Sequence, residues 1–122
     1  MIDDSLTAEF ARMDQEIAMQ VARQQWGFDS ASVRRLDTER DDTFVVDTGE
    51  GRYVLKVAHP LDDAAVLDFQ CAVLEHAHAA DPGLPLPQVR HDVDGVALRE
   101  IDLGEPRLGR LLTYLDGEIL DY

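Results

Sequence analysis

Leu6, Phe10, Met13, Ile17 and Val21 recur at three- and four-residue intervals, with polar residues between them. That spacing predicts an amphipathic helix from Ser5 to about Gln25, with Ser5 as its N-cap and Gly27 as its stop. The pattern then changes. Ser32–Leu36, Thr43–Asp47 and Arg52–Ala58 read as three strands, the last two joined through Thr48-Gly49-Glu50-Gly51 as a hairpin. Pro60 ends the third strand. Helical spacing returns from Leu61 to about Ala80, until Asp81-Pro82-Gly83 stops it. Leu84-Pro85-Leu86-Pro87 is an extended linker. Val89–Asp92 and Val96–Ile101 flank an Asp-Gly turn and predict a second hairpin. Leu108–Leu115 is a mostly apolar last strand, expected at the centre of the sheet, and Asp116-Gly117 turns the chain after it. The order predicts an α+β domain: an antiparallel sheet of about five strands, a helix packed across it and an extra N-terminal helix.

Composition narrows the partners. The 122 residues make one domain, 45% hydrophobic and 30% charged, with 25 acids against 11 bases and a formal net charge of −14. Such a field repels nucleic-acid backbones and anionic membranes. A site for nucleotide phosphates must therefore be locally positive, and a bound metal would help there. Every apolar run is too short to span a bilayer. A single cysteine, Cys71, excludes an intramolecular disulfide, and with no signal peptide the expected compartment is the cytoplasm.

Base usage points to one residue. Every base but one is Arg, and Lys56 is the sole lysine. Alternation along its strand places Val54, Lys56 and Ala58 on one face and Tyr53, Leu55 and Val57 on the other. Neither face is free of apolar groups. A lysine there either snorkels to solvent or serves as a point charge for phosphate oxygens; the absence of other lysines favours the second. On the second helix, Gln70 projects to the middle of an apolar stripe made by Val66, Val73, Leu74 and Ala77, while Glu75 projects to the opposite side. A buried amide needs a partner, either Lys56 or a nearby backbone carbonyl.

Other motifs carry less. The loop Asp37–Thr43 has successive backbone N–H groups and Arg40, which suits an anion nest, though its spacing alone reads as a solvated hairpin tip. Gly49 and Gly51 form only a Gly-x-Gly with no helix after it, hence a turn. His76 and His78 diverge on their helix, and His91-Asp92-Val93-Asp94 belongs to a turn.

Four stretches together resemble the N-terminal lobe of the aminoglycoside phosphotransferase-like kinase superfamily, nearest its hydroxylysine kinase-like branch. They are Ser32–Val46, with its Glu-Arg-Asp loop; Arg52–Val57; Leu67-Asp68-Phe69-Gln70 through Leu84-Pro85-Leu86-Pro87; and Arg110–Gly117. The resemblance implies ATP or GTP with Mg2+ as phosphate donor in the full-length protein. It implies that Lys56 holds the α- and β-phosphates and that Gln70 takes the register of the helix residue that orients this lysine. Glu39, Arg40 and Asp41, through Phe44, would cover the phosphates. Val46 and Val54 would sandwich the base, with Leu112 as gatekeeper. Backbone groups of Thr113, Tyr114 and Leu115 would read the base edge.

The family's catalytic loop, with its base Asp and its Asn, comes from a C-terminal lobe. This chain contains no asparagine, so that loop is expected outside it. The expectation is a lobe that does not turn over alone, whose parent phosphorylates a hydroxyl of an amino-containing small molecule. Its expected partners are the nucleotide and the C-lobe, with a homodimer through the open cleft face as another outcome. The competing reading is a non-enzymatic acidic α+β interaction module.

Overall fold

A computed structural model of the chain describes residues 12–37, 41–102 and 105–115. Helix α1 spans Gln15–Trp26; Asp14 caps it, its carboxylate accepting the Ile17 N–H at 2.8 Å. The part of the expected helix before Arg12, including Ser5, Leu6 and Phe10, lies outside the described residues. Met13 belongs to the expected stripe by spacing, yet it precedes the helix, because its backbone N–H is donated to Asp42 rather than into a helical turn. Gly27 closes α1 in the left-handed conformation (φ 77°), with its N–H on the Arg23 carbonyl.

Strands β1 (Ala31–Leu36), β2 (Asp42–Thr48) and β3 (Gly51–Val57) form an antiparallel meander. Helix α2 (Ala64–Ala80) follows, capped by Asp63. Strands β4 (Val89–Arg90), β5 (Arg99–Asp102) and β6 (Pro106–Thr113) complete the sheet, in the order β1-β2-β3-β6-β4, with β5 also on β6. The last strand is central, as its apolar run implied.

The expected hairpin of β4 with β5 does not form. The two strands lie one after the other along the same side of β6 and pair with it, not with each other. The turn keeps two backbone bonds, Asp92 N–H to the Val96 carbonyl and Gly95 N–H to the Asp92 carbonyl, and other partners take its remaining donors. Asp92 accepts the Asp94 and Val96 N–H groups through its side chain, and Val93 donates its N–H to the Gln25 carbonyl at the end of α1. Gln25 and Arg99 also donate to the Asp92 carboxylate. Burial pulls the Asp92 pKa up, but these donors outweigh it and hold it at about 2.

Register decides which side chains share a face. The rows Asp42–Val57–Gly109, Phe44–Leu55–Leu111 and Val46–Tyr53 face α1. There they pack with Met13, Ala18, Ala22, Trp26 and Ile101 into the main core. A Cβ on Gly109 would lie 2.6 Å from the Ile101 side chain, so glycine admits Ile101 to this layer. Asp42 is fully buried at the end of this face. It accepts from Arg107 (2.9 Å), Arg35 (2.6 Å) and the Met13 N–H (3.2 Å). Burial raises the Asp42 pKa, the two guanidinium donors and Met13 lower it, and the net direction is down. Arg107, equally buried, also donates to the Ala58 and Val57 carbonyls. These bonds pin the segment before α1 to β1, β2 and β6.

Among the described residues no helix is long and apolar enough to cross a membrane. Helix α2 buries only Leu67 and Cys71; Val66, Phe69 and Val73 stay exposed, Phe69 by 68%.

Candidate functional site

The sheet face away from α1 carries the rows Thr43–Lys56–Arg110 and Val45–Val54–Leu112. Alternation along β3 puts Lys56 here because Leu55 and Val57 are claimed by the core on the other side. Lys56, Arg110 and Asp41 line a cleft of about 160 Å³ with Leu67 and Gln70 of α2 and with Asp62 of the β3–α2 connection. The Lys56 side chain is 12% exposed, and its ammonium lies 3.7 Å from the Asp41 carboxylate. Thr43 Oγ1 donates to that carboxylate at 2.9 Å, fixing it toward the cleft. Asp41 and Asp42 thus divide their work: one faces the lysine, the next anchors the buried arginines.

Gln70 lines the same cleft but does not partner Lys56. It is exposed, not central to a buried stripe, and its carboxamide oxygen accepts from Arg110 Nη1 at 2.8 Å. The reason is the rotation of α2, which turns Leu67 and Cys71 inward and leaves Val66 and Val73 in solvent. Arg110, 8% exposed, was not among the residues expected from sequence. Lys56 was singled out as the sole lysine; Arg110 shares its setting, a basic residue inside a mostly apolar strand, and that setting is the signal that could have found it. Cys71 also lies against Arg110; burial raises its pKa, partly offset by that guanidinium, so the thiol is neutral at physiological pH. Glu75 is exposed and pairs with His91.

Two further expected positions differ. Phe44 and Val46 are wholly buried in the α1 core, on the opposite side of the sheet from Lys56 and Val54. Phe-Val-Val is apolar on both faces, so the pattern did not reveal which residue points where. The residue that joins Val54 and Leu112 is Val45, each of the three about 1% exposed. Glu39 and Arg40 lie outside the described residues. At the end of β6, Thr113 donates its N–H to the Gln88 carbonyl and accepts the Gln88 N–H at its hydroxyl. Tyr114 donates its N–H to the Arg52 carbonyl. These bonds fix the approach to Leu115. No group of three or more metal-ligating side chains occurs among the described residues.

The sequence profile of the phosphotransferase enzyme family matches residues 32–122. Solved structures share the fold. A microcompartment-associated aminopropanol kinase is 25% identical, with a TM-score of 0.69 over 85% of this chain and 32% of its own. An amicoumacin kinase, solved with AMP-PNP and Ca2+, is 15% identical, with a TM-score of 0.70 over 89% of this chain and 33% of its own. A spectinomycin phosphotransferase, solved with ADP and spectinomycin, is 9% identical, with a TM-score of 0.66 over 88% of this chain and 31% of its own. The chain thus spans about a third of the length of each. No curated protein matches it.

Proposed function

The chain belongs to the phosphotransferase enzyme family, and on that premise we propose that it is the nucleotide-binding N-terminal lobe of a small-molecule kinase. The observation that carries this reading is the sheltered Lys56 ammonium. It is held at the mouth of a cleft between sheet and α2, on the same face as the apolar Val45–Val54–Leu112 row. In this reading Lys56 binds α- and β-phosphate oxygens of ATP or GTP, and the valines and Leu112 bear on the base. With Thr113 and Tyr114 N–H committed within the protein, the base edge is read by carbonyls of the segment and by the Leu115 amide. Asp41 and Asp62 line the same cleft and oppose phosphate charge, which Mg2+ bound with the nucleotide would neutralise.

The cleft is small. Pockets that enclose drug-sized ligands run from about 300 to 1,000 Å³, against about 160 Å³ here. A second surface must complete the site, and the reading assigns it to a C-lobe outside these residues, which supplies the catalytic loop. The parent would transfer the γ-phosphoryl group to a hydroxyl of an amino-containing small molecule, in a hydroxylysine kinase-like branch. The similarity to a kinase named for aminopropanol supports that acceptor class. Alone, the lobe would bind nucleotide weakly and not turn over.

The test is a titration of the chain with ATP or GTP in magnesium, followed by NMR. Weak binding that Lys56→Ala abolishes is expected; binding indifferent to Lys56→Ala overturns the assignment. In the source gene, a His-Gly-Asp-x-x-x-x-Asn downstream of Tyr122 is expected, and an uninterrupted unrelated continuation counts against the parent kinase.

A further inference from the structure

Two buried arginines of β6 make an instructive pair. Arg107 has a carboxylate and two carbonyls for its guanidinium. Arg110, three residues on and 8% exposed, has a neutral carboxamide, Gln70, and the thiol of Cys71. Among the described residues no carboxylate lies within ion-pair distance of Arg110. Cys71 supplies no counter-charge, since its thiol stays protonated. Arg110 also sits directly across the ladder from Lys56, and like charges in that position oppose each other. Two cations thus lie side by side in one cleft, and among the described residues a carboxylate lies within ion-pair distance of Lys56 but not of Arg110. A buried charge without a counterion is costly, and the cost disappears when an anion enters.

We infer that Arg110 is a second phosphate-binding cation of this cleft, turned toward it by Gln70, while Asp41 holds Lys56. The inference rests on the reading of the cleft as a nucleotide phosphate site. It changes the role of Gln70: its carboxamide positions Arg110, not the lysine. A neutral acceptor suits that task, because it orients the guanidinium by one hydrogen bond and leaves its charge for the ligand. A Glu at the same place would neutralise the charge. The remaining guanidinium N–H groups can then meet phosphate oxygens on the side of the cleft nearer α2.

The experiment titrates the intact chain, in magnesium, with ATP, pyrophosphate and adenosine, read by NMR shifts. Arg110→Met should weaken ATP and pyrophosphate by about tenfold or more and leave adenosine unchanged. Gln70→Leu, an exposed substitution that should not disturb folding, should weaken the same two ligands by less. In the Arg110→Met background it should add nothing. ATP binding unchanged in Arg110→Met, where Lys56→Met loses it, overturns the inference and leaves the nucleotide reading standing. Gln70→Leu binding pyrophosphate like wild type overturns the positioning role. If the wild-type chain binds neither ATP nor pyrophosphate, the nucleotide reading itself fails and Arg110 has no such ligand.

Discussion

The two faces of the sheet are built on opposite rules. Toward α1 every buried charge is answered: Asp42 by Arg35 and Arg107, Arg107 by Asp42 and two carbonyls. Toward α2 the Lys56 ammonium lies 3.7 Å from the Asp41 carboxylate, and Arg110 has no carboxylate within ion-pair distance among the described residues. The α1 face closes over its apolar groups, whereas α2 leaves Val66, Phe69 and Val73 in solvent. The difference teaches that the charges that lock the fold lie on one side of the sheet, and the side we propose for nucleotide carries the less fully paired ones. A site with every charge satisfied internally would have nothing left for a ligand.

The comparison breaks most easily at Asp42. Asp42→Ala removes the carboxylate that the buried Arg107 guanidinium meets at 2.9 Å, and a loss of about 3–5 kcal/mol is expected in urea unfolding. On the same face, Gly109→Ala drives a methyl into Ile101. It should cost about 1–3 kcal/mol by the same measurement. Arg110→Met sharpens the contrast from the other side. Replacing an unanswered buried cation with an apolar group of similar volume should cost no more than about 1 kcal/mol, or raise stability. Equal losses for Asp42→Ala and Arg110→Met would erase the distinction between the faces. Phe69→Ser on the exposed side of α2 should shift stability by no more than about 0.5 kcal/mol.

Acid titration should act through the answered charges. Asp92, at about 2, and Asp42, also lowered, have folded pKa values below the unfolded value, so each binds its proton more readily when unfolded. Their contribution is complete above about pH 4 and is lost as pH falls through their folded values. The urea midpoint should therefore fall between about pH 4 and 2. In Asp92→Asn the Asp92 part of that fall should vanish.

Sequence patterning located all six described strands, the Thr48–Gly51 turn, the end of α1 at Gly27 and the central place of β6. It misplaced side chains where both faces are apolar. In Phe44-Val45-Val46 every position suits burial, and only the pairing register reveals that Val45, not Val46, joins Val54. Helix α2 posed the same problem in rotation. Val66, Val73, Leu74 and Ala77 flank Gln70 in the expected stripe, but the helix turns Leu67 and Cys71 inward instead. Lys56 stood out because it is the only lysine, whereas Arg110 was hidden among ten arginines although its setting is just as unusual. The failed β4–β5 ladder has a different cause: the Asp92 side chain took the Asp94 and Val96 N–H groups, and the Gln25 carbonyl took that of Val93.

The position of β6 has a consequence for how the chain is made. It is the last strand in the described order, yet it lies between β3 and the β4–β5 side, and Arg107 reaches Asp42 across 65 residues of sequence. As the chain leaves the ribosome, β1, β2 and β3 can pair in succession, but β3 then waits with a bare edge through all of α2 and the segment after it. An open edge of this kind recruits other chains. Translation that pauses between residues 60 and 105 should therefore leave a sticky intermediate, and release of the final strand should end its exposure in one step.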